Sequence, residues 1–102
     1  MDLHLPPPRQ VANAVLSNPS AAALVALAEP ILLDIAGAER KPSLVSLNLD
    51  LAHDGKAGDA VRVTAWVERA TRTLVFAAAE IRLRSDESLI AAAQAVIKVS
   101  AP

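Results

Sequence analysis

Ala60-Val61-Arg62-Val63-Thr64-Ala65-Trp66-Val67-Glu68-Arg69-Ala70, followed by Thr71-Arg72-Thr73-Leu74-Val75-Phe76-Ala77-Ala78-Ala79-Glu80-Ile81-Arg82-Leu83-Arg84, decides the fold. Val61, Val63, Ala65 and Val67 alternate with Arg62, Thr64, Trp66 and Glu68. After a break at Ala70-Thr71, Thr73, Val75, Ala77, Ala79, Ile81 and Leu83 keep the same rhythm. A period of two over this length belongs to antiparallel strands with one buried face. The pattern extends outward. Val45, Leu47, Leu49 and Leu51 alternate with Leu44, Ser46, Asn48 and Asp50, and Leu89–Val99 sets Ala91, Ala93, Ala95, Ile97 and Val99 against Gln94 and Lys98. Four antiparallel strands are therefore expected over residues 44–100, with a turn-rich loop at 52–59 and a turn at Ser85-Asp86-Glu87-Ser88.

A helix is expected directly in front of them, over residues 20–37. Ser17-Asn18-Pro19-Ser20 breaks the chain, and Asn18 or Ser20 can cap the helix. Leu24, Leu27, Ile31 and Ile35 fall on one helical face, with Val25, Ala28 and Leu32 nearby, and Gly37 suits the stop. Pro30 either kinks this helix or starts a second short one. One apolar helix before an antiparallel meander can be buried in the concave face of its own sheet. Residues 1–19 read as an extended or irregular lead-in. Pro6-Pro7-Pro8 is stiff and extended, and Gln10–Leu16 fits a short helix or a short strand.

The chain has 102 residues, enough for one domain. Hydrophobic residues make up 53%, yet Trp66 and Phe76 are the only aromatics. The core must be built from Ala, Val, Leu and Ile, and a partner subunit would help complete it. Net charge is −1, which gives no basic field for nucleic acid. Cysteine is absent, so there is no thiolate ligand, thiolate nucleophile or disulfide. His4 and His53 have no companion at metal-ligand spacing. The first residues lack a signal-peptide pattern. The apolar run Ala21–Ala36 carries Glu29, Pro30 and Asp34 and reads as too short to span a bilayer. A cytoplasmic, soluble protein is expected.

Several stretches together resemble the hotdog-fold acyl-CoA thioesterases of the phenylacetate-degradation type. They are Ser46–Leu51, Gly58-Asp59-Ala60-Val61-Arg62-Val63-Thr64-Ala65, Glu68–Phe76 and Leu89-Ile90-Ala91-Ala92-Ala93. The resemblance covers roughly residues 18–100. It implies an α+β hotdog fold, an antiparallel β-sheet wrapped around one central helix. It also implies activity on acyl-CoA, with CoA as part of the substrate and no separate cofactor, and a homodimer or dimer of dimers. The family carries His-Gly-Gly at the start of the buried helix and an acid nine residues after the His. Counting back from Glu29 places Ser20-Ala21-Ala22 on that motif, so the acid is kept while the His and both glycines are not.

The resemblance and the chemistry point to the same positions. Thioester hydrolysis needs a donor for the oxyanion and a base for the attacking group. Amides at a helix N terminus are unpaired donors, so Ala21 and Ala22 can fill the first role. Glu29 reads either as the general base, its pKa raised by apolar surroundings, or as a solvated carboxylate before Pro30. Ser20 suits a cap better than a nucleophile, and Asp34 reads as an exposed helix residue or as a second carboxylate beside Glu29. Asn18 and Ser20 are expected near the substrate, with Asn13 or Asn18 in the amide role. Arg62, Arg69, Arg72, Arg82 and Arg84 are either solvent-facing charge or, through Arg69 and Arg72, holders of the CoA phosphates. Trp66, on the polar face of its strand, suggests a covered surface. The family's first strand is expected to be short or missing here. The loss of His-Gly-Gly supports an alternative: a non-catalytic hotdog that binds an acyl group or another small ligand, or serves as a structural dimer.

Overall fold

The computed structural model describes residues 9–101. The readings placed on His4 and on Pro6-Pro7-Pro8 fall outside them. The element order is β1 (Arg9–Val15), α1 (Ala21–Gly37), a 3-10 turn (Ala38–Arg40), β2 (Ser43–Leu51), β3 (Ala60–Ala70), β4 (Leu74–Leu83) and β5 (Leu89–Lys98). The strands form one antiparallel sheet in the order β1-β3-β4-β5-β2, with α1 against one face.

This topology corrects one expectation and decides between the alternatives of another. The four C-terminal strands are not one meander. Only β3-β4-β5 run in succession, and β2 joins the sheet beside β5 at the far edge. The first strand is short but present: β1 has seven residues and pairs with β3 from Arg9↔Trp66 to Val15↔Ala60. Its length and mixed residues left helix and strand both open, because alternation over seven residues with two alanines and an asparagine carries little signal.

The inner face is floored with alanine. One cross-strand row runs Gln10-Ala65-Ala79-Ala93-Leu49, and the next carries Val67-Ala77-Ala95-Leu47. Larger residues stand on either side, with Val63 and Ile81 toward one end and Val75 and Ile97 toward the other. The sheet thus has a shallow trough across its middle, and α1 lies over it. The buried side of α1 is Leu24, Ala28, Ile31, Leu32 and Ala36. This stripe is rotated from the expected Leu24–Leu27–Ile31–Ile35 face, and Leu27 and Ile35 sit half-buried on its flank.

Ser20 starts the helix from an extended conformation (φ −71°, ψ 154°), and its Oγ accepts the Ala23 amide at 3.1 Å. Gly37 ends it with φ 113°, a value that L side chains rarely adopt. Pro30 neither splits nor ends the helix, which runs unbroken from Ala21 to Gly37. Pro30 is exposed, so the lost backbone bond lies on the water side, while Ile31 and Leu32 hold the next turn to the sheet. By length and composition alone, Ala21–Arg40 is long and apolar enough to cross a membrane. That revises the reading of this run as too short, although its most apolar side is spent on the sheet.

β2 also departs from simple alternation. A bulge between Leu44 and Ser46 shifts the phase, so Leu44, Leu47 and Leu49 pack on the core while Val45 is 59% exposed. The same shift recurs near the other end of β5, where Ile90 is the extra residue and is fully buried.

A trough made by alanine predicts its own sensitivity. Ala79→Leu, at the centre of the floor, should destabilise the protein by about 1–3 kcal/mol through overpacking. Ala26→Leu, on the exposed side of α1, should leave stability within about 0.5 kcal/mol. Urea unfolding monitored by circular dichroism measures both.

Candidate functional site

The N-terminal turn of α1 is built by two short polar side chains. Asn18 Oδ1 accepts the Ser20 amide at 2.9 Å, and Ser20 Oγ accepts the Ala23 amide. The Leu24 amide closes the first helical bond on the Ser20 carbonyl at 3.1 Å. That leaves the amides of Ala21 and Ala22 without an intramolecular partner among the described residues, and both residues are exposed. They are two parallel donors at the positive end of a 17-residue helix. Asn18 and Ser20, the residues expected near the substrate, are thus next to these donors in the chain. Their oxygens accept the cap hydrogen bonds, and the Asn18 amide nitrogen and the Ser20 hydroxyl proton are left to donate to a ligand.

Glu29 lies on the same side of the helix as Ala22. Seven residues return the helix to within about 20° of the starting direction and advance it about 10 Å. Helical side chains lean back toward the N terminus, which shortens the gap between the carboxylate and the two donors. Glu29 is half-buried, on the flank of the apolar stripe. Asp34 belongs to the opposite flank. Its Oδ2 accepts from Gln10 Nε2 of β1 at 2.7 Å, and it does not share a site with Glu29.

Arg69 and Arg72 sit elsewhere. They belong to the β3–β4 hairpin, at the end of the sheet that receives the helix C terminus. Arg40, just past α1, donates from Nη2 to the Arg72 carbonyl at 2.8 Å and to the Ser100 carbonyl at 3.0 Å. The N terminus of α1 is at the other end, where Leu16 bonds the loop before β3 through Leu16 N to Asp59 O (2.8 Å) and Gly58 N to Leu16 O (2.8 Å). Within one chain the structure therefore groups Asn18, Ser20, Ala21, Ala22 and Glu29, and holds Arg69 and Arg72 a helix length away. Two of the other arginines are paired with carboxylates. Arg62 pairs with Glu87 and Arg82 with Glu80, each at 2.6 Å, and Arg82 also donates to the Glu87 carbonyl. Arg69 covers the ring of Phe76 at 4.3 Å.

The concave surfaces lie away from Glu29. A groove of about 190 Å³ on the outer face of the sheet is lined by Ser46, Asn48, Glu68, Phe76, Gln94 and Val96. A neighbouring groove of about 180 Å³ shares Glu68 and Gln94 and adds Trp66, Ala78 and Glu80. A third, open depression of about 260 Å³ lies at Leu51, Ala52, His53 and Asp54. There His53 Nδ1 lies 3.0 Å from the Leu89 carbonyl. Sequence reasoning marked Trp66 as part of a covered surface but did not find the grooves. The first outer groove depends on the β2–β5 pairing, which sets Asn48 beside Gln94, and that pairing leaves no local trace. Among the described residues no cluster of His, Cys, Asp and Glu could hold a metal ion.

No family model and no curated protein matches the sequence. Solved structures match the shape closely. Zebra fish thioesterase superfamily member 2 is 18% identical, with a TM-score of 0.83 over 96% of this chain and 79% of that one. The Escherichia coli PaaI protein from the phenylacetic acid degradation operon is 15% identical, with a TM-score of 0.81 over 89% and 72%. A hypothetical thioesterase from Streptococcus pneumoniae TIGR4, crystallised with coenzyme A, is 13% identical, with a TM-score of 0.82 over 91% and 79%. The chain has the hotdog fold. It shares that fold with structures of the thioesterase superfamily, at identities that speak for architecture alone.

Both polar turns can be probed directly. Ser20→Ala should cost about 1 kcal/mol of stability by removing the cap, read from the thermal midpoint. The Asp86 carboxyl is held below the ordinary aspartate value by the Ser88 hydroxyl and, next, the Ser88 amide, which donates to Oδ1 at 2.9 Å. Ser88→Ala should therefore raise the Asp86 midpoint in an NMR titration. The depressed value means that the turn's contribution is present at neutral pH and fades as pH falls through it.

Proposed function

We propose that the chain is a thioesterase-like hydrolase acting on acyl-CoA. Glu29 is the general base, and the Ala21 and Ala22 amides receive the oxyanion. In this reading Glu29 takes a proton from water as the water oxygen bonds the thioester carbonyl carbon. The carbonyl oxygen gains charge and rests on the two amides. Collapse of the tetrahedral species re-forms the carbonyl, breaks the carbon–sulfur bond and releases the CoA thiolate, which takes up a proton. The supporting observation is the pairing of two exposed, unbonded helix amides with a carboxylate on the same side of the same helix. The hotdog architecture and the CoA-bound streptococcal structure support the substrate class.

A homodimer or dimer of dimers fits this reading. Arg69 and Arg72 can serve the CoA phosphates only from a second copy, placed so that its hairpin end meets the α1 N terminus of the first. The half-buried apolar flank of α1 and the exposed Val45 and Leu51 on edge strand β2 leave room for such a copy.

A second reading is a non-catalytic module that binds an acyl group or another small ligand. One observation favours it: none of the three grooves is lined by Glu29. Methyl groups on Ala21 and Ala22 also stand where a thioester must approach closely.

Thiol release from a panel of aliphatic and aromatic acyl-CoAs separates the two. The chain contains no cysteine, so a thiol-reactive dye reads free CoA without protein background. Glu29→Gln should lower kcat/KM by about 100-fold or more. Turnover equal to the parent protein in Glu29→Gln and Glu29→Ala would remove Glu29 from the chemistry. Saturable acyl-CoA binding without thiol release would establish the module instead.

A further inference from the structure

The sheet face turned away from α1 carries polar side chains that the protein itself does not use. Ser46, Asn48, Glu68 and Gln94 line one groove of about 190 Å³. None of the four makes a side-chain hydrogen bond or an ion pair among the described residues. Further along the same face Arg62 is paired with Glu87 and Glu80 with Arg82. Strand register gathers the unpaired set. Asn48 stands opposite Gln94, and Gln94 opposite Ala78. Glu68 joins them as the extra residue of a bulge in β3, between Val67 and Arg69. A second groove of about 180 Å³ shares Glu68 and Gln94 with the first and runs on to Trp66, Glu80, Ala78 and Ala92.

We propose that the two grooves together bind a small organic monocation, an amine with a flat apolar body. The charge of the lining selects the sign. No Lys or Arg lines either groove. Glu80 is neutralised by Arg82, so Glu68 is the one lining carboxylate without a counter-ion among the described residues. Its neighbour Arg69 is held over the Phe76 ring at 4.3 Å and leaves Glu68 free. An ammonium at Glu68 gains a charge-assisted hydrogen bond, and the amide oxygens of Gln94 and Asn48 take its other hydrogens. A neutral ligand there would strip water from Glu68 and return nothing, and an anion would be repelled. The second groove selects the body. Ala78 and Ala92 supply a floor of methyl groups, and half-buried Trp66 supplies an aromatic wall. A ring laid along that wall buries apolar surface on two sides. The site is separate from the proposed hydrolytic one, since Glu29 lines neither groove.

The test uses the full chain and its single tryptophan. Phenethylammonium is the probe, titrated at constant ionic strength while Trp66 emission is read and checked by calorimetry. Phenethyl alcohol, with the same outline and no charge, is the comparison. The amine should give a saturable change with a Kd of about 1 mM or lower. The alcohol should bind at least about 10-fold more weakly, and Glu68→Gln should weaken the amine by a similar factor. Ala92→Leu, which fills the floor, should abolish the response and leave the circular dichroism unchanged. No saturable change up to about 10 mM amine, equal affinity for amine and alcohol, or full affinity in Glu68→Gln or in Ala92→Leu would each overturn the site. Should one variant fail to fold, the other and the alcohol comparison decide. Thiol release from acyl-CoA is read separately, so loss of this site and failure of the hydrolytic reading remain distinguishable.

Discussion

Close approach of one helix to a floor of alanine is the constraint on which the rest depends. With no aromatic in the core, the protein cannot fill a deep space between helix and sheet. Instead it narrows the space. Ala65, Ala77, Ala79, Ala93 and Ala95 lower the middle of the sheet, and Leu24, Ala28, Ile31 and Leu32 descend into it. Small side chains contribute little transfer energy each, so the arrangement relies on dense contact rather than on bulk. It also holds Pro30 in a continuous helix. The residues before and after the proline are anchored strongly enough that a missing backbone bond on the water side does not divide it.

The same packing orients the candidate site. Because Leu24 and Ala28 face the floor, Ala22 and Glu29 are turned to the flank of the helix, and Asp34 is turned to the other flank beside Gln10. A stripe of Leu24, Leu27, Ile31 and Ile35, as periodicity alone suggests, would have set this orientation differently. The side on which Glu29 emerges is therefore a consequence of where the alanines lie in the sheet.

Strand identity was legible because alternation is a local property. Val61 to Leu83 shows it without ambiguity, and α1 is announced by Ser20 and closed by Gly37. Strand order was not legible. β2 and β5 meet through pairs such as Asn48↔Gln94, separated by all of β3 and β4, and nothing near either residue signals its partner. Bulges were hidden for a related reason. The extra residue at Val45 looks like one more member of an alternating series until the pairing shows which side it faces. At the site, the spacing between Ser20 and Glu29 could be read along the chain because a helix converts spacing into direction. The separation of Arg69 and Arg72 from that turn could not, since it depends on which end of the sheet the helix starts from. Arg62 and Arg82 looked like free surface charge for the same reason, their partners Glu87 and Glu80 being fixed by the turn and by the strand.

The aromatic residues obey the same constraint from the other side of the sheet. An interior that excludes Trp66 and Phe76 is consistent with the trough, because neither ring fits between α1 and a floor of methyl groups. Their place on the opposite face follows from strand parity, which sends each residue between two core positions outward. Parity accounts for where the rings point but not for why large apolar groups occupy those positions. Polar residues there would serve a solvated sheet equally well and cost the core nothing. The tight contact with α1 admits only small groups on the inner face, and the outer face carries no such limit.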